Sequence, residues 1–219
     1  MKPRVVVFDV MGTLFDLRPV RVRLEDIGAP GAALEAWFGR LLHSATSLTL
    51  SGEFRPFREL AETTLPTTLA QLGADETRSA HVLSALGELD PYPDAEAAFD
   101  RLEEAGVRTA TLTNGGEGHT RGLLERAGLA DRVDAVITVD EVEAYKPAPA
   151  PYRHAAERLE AEPRELTLIA AHAWDVVGAR AAGLATVWID RLERRWPFPL
   201  PEPSRASNLV EAADRALAE

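Results

Sequence analysis

The chain has 219 residues, 46% of them hydrophobic and 27% charged, with a formal charge of −11 and no cysteine. That length suits one good-sized domain, or a core carrying an insertion, in an ordinary soluble globular protein. The acidic balance speaks against a nucleic-acid binder, which needs a basic surface to release counterions, and the lack of thiols excludes disulfides, thiolate catalysis and cysteine metal sites. No apolar run approaches membrane-spanning length, and the chain enters an apolar segment after three residues. Neither a membrane partner nor a secretory leader is expected, and a cytoplasmic location is the default.

In chain order, "RVVVFDV" (4–10) is a short branched apolar run ended by a turn, the pattern of a buried parallel strand. From about 17 to 90 the texture is helical. Leu34, Trp37, Phe38, Leu41, Leu42 and Ala45 form an i, i+3, i+4, i+7, i+8 stripe, and two further helices are expected near 54–70 and 76–88. At "DPYPDAEAAFDRLEEAG" (90–106) a proline-rich joint leads into an amphipathic helix. Strand and helix then alternate: strands at 108–114, 133–140, 166–171 and 185–190, helices at 118–128, 149–160 and 173–182. Such alternation predicts a parallel sheet with right-handed crossovers. "RRWPFPLPEPS" (194–204) is too proline-rich for regular structure, and a closing helix is expected at about 206–218. The expected architecture is therefore α/β: a doubly wound, Rossmann-like core of residues 1–16 and 92–219, with an all-helical cap, residues 17–91, inserted after the first strand.

Ligands of open parallel sheets bind beyond the carboxyl ends of the strands, near the topological switch point. The first strand ends in Asp9, followed by Val10, Met11, Gly12 and Thr13. The second ends in Thr113 and Asn114, the third is followed by Lys146 and Tyr152, and the fourth by His172, Trp174 and Asp175. One crevice thus receives two carboxylates, an ammonium, hydroxyls and an amide.

This set resembles the haloacid dehalogenase superfamily, whose four signatures correspond to "DVMGT", "TN", "KP" and "WD" here, in order and over the whole chain. Within it the closer likeness is to the type II 2-haloacid dehalogenases, through the non-acidic Met11, the "YKPAPAPY" phrase at 145–152 and "AWDVVGARAAGL" at 173–184. The resemblance implies an aspartate nucleophile at Asp9 and hydrolytic dehalogenation of a small 2-halo carboxylic acid. The chemistry of Met11 agrees. Attack on a phosphate ester expels an alkoxide, whose conjugate acid has a pKa of about 15, near that of water. A proton donor two residues from the nucleophile would then contribute on the order of 10²- to 10⁴-fold. Halide leaves without a proton, so Met11 is no handicap there.

The remaining roles follow from charge and position. Lys146 keeps Asp9 ionised, while the N–H groups of Val10 and Met11, with Thr113, receive the substrate carboxylate. Asn114 donates to the departing halide, Asp175 orients or deprotonates the hydrolytic water, and Thr13 completes the catalytic set. His172 is either a base for the hydrolytic step or a hydrogen-bonded wall of the pocket. Phe38, Tyr152 and Trp174 shape the substrate site.

The chain departs from the dehalogenase pattern in three features. Phe38 stands where an arginine is expected after the cap tryptophan, and Arg40 is about 200° further round the helix, on a face expected to be solvated. Ala170 and His172 replace a serine and an asparagine, and Met11 an aromatic. No cofactor is expected for dehalogenation. A magnesium-dependent phosphatase of the same superfamily is the alternative, its metal held by Asp9, the carbonyl of residue 11 and Asp175. A catalytically retired binding member is a third. The expected partner is a small anionic substrate, and the apolar cap helices allow a homodimer.

Overall fold

The computed structural model describes residues 3–218. Its centre is β1 (Val5–Phe8), every residue of which is buried. The other strands are β2 (Arg108–Thr113), β3 (Ala135–Thr138), β4 (Leu166–Ala170), β5 (Ala185–Ile189) and β6 (Ser204–Ala206). They form one six-stranded sheet in the order β3-β2-β1-β4-β5-β6, and every pairing is parallel. Strands covered on both faces need apolar side chains on both, which is why β1 reads as a continuous run. Successive side chains alternate: Val6 and Phe8 enter one core, Val5 and Val7 the other.

The order reverses at β1, which pairs with β2 on one side and β4 on the other. Phe8 lies level with Thr111 and with Ile169. That register brings Asp9, the Thr113–Asn114 end and the Ala171–His172 turn to one rim. The crossovers run through α5 (Ala95–Glu104), α6 (Glu117–Arg126), α7 (Pro149–Arg158) and α8 (Ala173–Ala181), with α9 (Leu209–Ala218) closing the chain.

Between β1 and α5 the described chain is helical, with α1 (Arg18–Asp26), α2 (Ala33–Ser51), α3 (Phe57–Gln71) and α4 (Ser79–Ser84). The stripe of α2 is buried at Leu34, Trp37, Leu41 and Ala45, and the helix stops at Gly52, whose φ of 75° is open to glycine and costly for other residues. The helix expected over 76–88 is instead α4 flanked by 3₁₀ turns at 76–78 and 85–88. The two connections into this segment are stitched together: Asp16 N–H donates to the Asp90 carbonyl at 2.9 Å and Tyr92 N–H to that of Leu14 at 2.8 Å.

The proline-rich tail is the main correction. Residues Ser204–Ala206 form the edge strand β6, paired with Val187–Ile189. Three residues next to prolines carry too little periodicity to announce a strand, and the pairing comes from the edge that β5 offers. The closing helix accordingly begins at Leu209, its N–H donating to Asp94 Oδ2 at 2.6 Å. Among the described residues no helix is long and apolar enough to cross a membrane.

Candidate active site

Asp9 leaves the tip of β1 into a turn that only glycine serves. Gly12 has a φ of 81°, and a β-carbon there would meet His172 Nε2 at 2.9 Å. The Val10 carbonyl accepts from Thr13, Leu14 and Phe15. Neither the Val10 nor the Met11 N–H donates to a backbone carbonyl among the described residues. Both therefore remain able to face an anion, as a backbone nest does.

Lys146 Nζ, fully buried, lies 2.9 Å from Asp9 Oδ1, 2.7 Å from Asp175 Oδ2 and 2.9 Å from the Leu112 carbonyl. Its three protons are all donated. Thr13 Oγ1 donates to Asp9 Oδ2 at 2.7 Å and accepts from Ala171 N–H at 2.9 Å. Tyr152 Oη donates to Asp175 Oδ1 at 2.6 Å. Its helix α7 can approach because Gly178 has no side chain: a β-carbon there would sit 2.6 Å from Tyr152 Oη and 2.8 Å from the Pro147 carbonyl.

These contacts split the two carboxyls. Burial pushes Asp9 up, but the charges of Lys146 and His172 and the hydrogen bonds from Lys146 and Thr13 bring it below its ordinary range. For Asp175 burial prevails, with the Asp9 charge adding to it, and its carboxyl titrates above the ordinary range despite Lys146. Burial works against a charged Lys146, yet Asp175 and Asp9 together raise it. The same burial and charges lift the Tyr152 phenol well above its usual range, so it remains a donor. Two carboxylates driven apart in this way suit two different tasks.

The opposite side of the pocket is aromatic. His172 is sandwiched between Phe38 and Trp174, with ring centroids 5.4 Å away on each side. Its Nε2 lies 2.9 Å from the Met11 carbonyl, which can only accept, so Nε2 carries a proton. That nitrogen is 3.9 Å from Asp9 Oδ2, beyond hydrogen-bond distance, and its proton goes to the Met11 carbonyl. Asn114 Oδ1 accepts from Lys146 N–H at 3.1 Å, while its buried Nδ2 has no partner among the described residues. Thr113 Oγ1 accepts from Gly115 N–H at 2.9 Å, leaving its own proton to donate. Together with Asp9, Met11, Leu42 and Phe57, these residues enclose a pocket of about 10 Å³. That is about the room one water needs.

A divalent cation does not fit the expected ligands. All four oxygens of Asp9 and Asp175 accept from Lys146, Thr13 or Tyr152, and the Met11 carbonyl is taken by His172. The ammonium already supplies the positive charge between the carboxylates. Among the described residues no group of three or more His, Asp or Glu side chains is arranged to hold a metal.

The model for haloacid dehalogenase-like hydrolases matches residues 3–183. The chain belongs to the haloacid dehalogenase-like hydrolase family. Within it, the chain is 35% identical to (S)-2-haloacid dehalogenase 1 of Pseudomonas sp. (strain CBS-3), over 95% of this chain and 94% of that one. It is 32% identical to (S)-2-haloacid dehalogenase 4A of Burkholderia cepacia, over 86% and 83%. Its fold is similar to that of L-2-haloacid dehalogenase from Xanthobacter autotrophicus with chloropropionic acid covalently bound: TM-score 0.86, 28% identity, 97% of each chain covered.

Of this hydrolase's residues singled out in the sequence, Asp9, Thr13, Lys146, Tyr152 and Asp175 share one hydrogen-bonded cluster. Met11, Phe38, Thr113, Asn114, His172 and Trp174 line the pocket beside it. Arg40, expected to be solvated, is half-buried and bonds Gln71 on α3, away from the pocket. Three contributors went unread. Glu193 accepts the Ala173 N–H at 3.1–3.2 Å and the Trp188 indole at 3.2 Å, holding the turn that carries His172. Tyr145, next to Lys146, binds the Thr49 hydroxyl through its N–H and the Arg55 carbonyl through its Oη. Arg191 links Asp94 with the Thr13 carbonyl. Glu193 and Arg191 lie in a loop without pattern, and only the phrase around Lys146 hinted at Tyr145.

Proposed function

We infer that the chain hydrolyses a small 2-halo carboxylic acid through an ester on Asp9. The observation that carries this is an ionised Asp9, fixed by Lys146 and Thr13, facing a pocket in which Met11 stands where a proton donor would serve an alkoxide leaving group. A carboxylate oxygen of Asp9 attacks the α-carbon. The carbon–halogen bond breaks and halide leaves with the electron pair. Water then adds to the Asp9 carbonyl carbon, its proton passing to Asp175. The acyl–oxygen bond breaks, the leaving 2-hydroxy oxygen takes the proton back from Asp175, and Asp9 returns as a carboxylate by releasing the second water proton to solvent.

In this reading the Val10 and Met11 N–H groups and the Thr113 hydroxyl receive the substrate carboxylate, and the unpartnered Asn114 Nδ2 donates to halide. Tyr152 and Lys146 keep Asp175 oriented. Phe38, His172 and Trp174 serve as wall rather than base. The helical segment 17–91 acts as a cap over a core of 1–16 and 92–219. The protein works in the cytoplasm without a cofactor, and its cap helices form a homodimer contact. The magnesium phosphatase alternative has no free ligand set to recommend it.

The deciding experiment is halide release, followed by ion chromatography, from both enantiomers of 2-chloro- and 2-bromopropionate, with EDTA or with Mg²⁺. Release that survives EDTA and vanishes in Asp9→Asn is expected. Release that requires Mg²⁺, or none from any halo acid, overturns the reading.

A further inference from the structure

Beside the catalytic pocket lies a second cavity of about 600 Å³, between the inserted helices and the rim of the sheet. It is lined by Ala61, Ala80, Leu83 and Leu86 from the helices and by Gly115 and Gly116 from the sheet side. Two residues, Met11 and Phe57, line both cavities and form the partition.

The one arginine on the lining of the larger cavity, Arg58, has a side chain that is 88% exposed to solvent. Arg58 is paired with Glu62, Nε to Oε1 at 2.7 Å, and His119 is driven towards its neutral form by burial, with Arg126 adding to that. Its size is that of a site for a small organic molecule, and its walls are mostly apolar. The catalytic pocket holds the donors beside Asp9 but has room for about one water. A halo acid therefore needs a wall to move. Asn114 and His172 are held by hydrogen bonds, and Phe38 and Trp174 by the stack. The Met11 side chain has no such tie. Its thioether is unbranched and flexible, and its methyl lies beside Gly115, 3.7 Å from where a β-carbon would be.

Resting on the dehalogenation reading, we propose that the 600 Å³ cavity is a subsite for an apolar tail on the substrate, reached past Met11, so that 2-halo acids with longer alkyl chains are the preferred class. The carboxylate and α-carbon stay at Asp9, and the tail runs between Met11 and Phe57 towards Leu83 and Leu86. Each methylene taken from water is worth about three- to fourfold in kcat/KM.

The test compares 2-bromopropionate with 2-bromohexanoate, in the natural chain and in Ala80→Trp. Ala80 is exposed on α4, so the indole fills the cavity without entering a core. At least about a tenfold gain for the longer acid is expected in the natural chain, lost in Ala80→Trp while 2-bromopropionate turnover is unchanged. A flat or falling chain-length series, or a gain that persists in Ala80→Trp, overturns the subsite. Should no halo acid release halide, the dehalogenation reading falls, and calorimetry with unhalogenated hexanoate and propionate decides the subsite separately. Hexanoate binding about tenfold tighter, and losing that advantage in Ala80→Trp, supports it; equal affinities overturn it.

Discussion

The sheet side of the pocket is polar, and each carboxylate oxygen has a donor: Lys146, Thr13 and Tyr152 fix Asp9 and Asp175 with bonds of 2.6–2.9 Å. The facing side, made from Phe38, Leu42 and Phe57, carries no ionic group and is joined to the sheet side by a stack and a thioether. The first can hardly change without exposing an uncompensated buried charge, which costs about 3–5 kcal/mol. The second can be substituted at the cost of ordinary packing. Of the departures from the dehalogenase pattern, Phe38 falls on the facing side, while Met11, Ala170 and His172 stand on the sheet side but outside the hydrogen-bonded cluster of Asp9, Lys146, Tyr152 and Asp175.

The contrast can be broken most sharply at Asp9. Asp9→Asn cannot form an ester, and turnover should fall by roughly 10⁶-fold or to the assay limit, with the fold intact by circular dichroism. Lys146→Met should come next. It leaves two carboxyls buried without a cation, so a loss of about 3–5 kcal/mol in denaturant unfolding is expected together with loss of activity. Gly178→Ala forces a methyl against Tyr152 and Pro147 and should cost about 1–3 kcal/mol while lowering turnover, read by thermal melting and initial rates.

The split between the carboxyls sharpens the comparison through pH. As pH falls, Asp175, raised by burial, takes a proton while Asp9, lowered by Lys146 and its hydrogen bonds against that same burial, stays ionised. Alkylation then outlasts hydrolysis, and intact-mass spectrometry in mild acid should find the Asp9 ester accumulating; its absence would detach Asp175 from the water step. Asp9 ionisation stabilises the fold above its unfolded pKa and is lost as pH drops through the depressed folded value. The raised Lys146 stabilises fully below its unfolded pKa and fails as pH climbs through the folded one. The smallest effect belongs to the loop after β5. Glu193→Ala should cost about 1 kcal/mol through the lost cap on α8, with Glu193→Gln nearer to neutral, both read by chemical denaturation.

The strands, the inserted helices and the carboxylate cluster were legible because each follows from a period or from the rule that parallel strands present chemistry at their carboxyl ends. Asp9, Asn114 and Asp175 stand within five residues of strand ends that the sequence itself marks, and Lys146 in the loop that follows β3. β6 was not legible, since Ser204–Ala206 becomes a strand only because β5 has a free edge. The 600 Å³ cavity was not legible either. Its walls come from residues 11, 57–62, 79–87 and 115–119, brought together by helix packing that no local pattern encodes. His172 was legible as a pocket residue but not in its protonation, which depends on the carbonyl that faces it.

That carbonyl belongs to Met11, whose backbone is pinned by His172 on one side and by the left-handed Gly12 on the other, while its side chain is untethered. Reactivity and selectivity thus meet at one residue without sharing an atom. A lineage can trade the thioether for a wider or narrower side chain, and so redraw which molecules are admitted, while the nucleophile two positions earlier stays where it was. Diversification of this scaffold would then proceed by single substitutions at the rim rather than by rebuilding the centre.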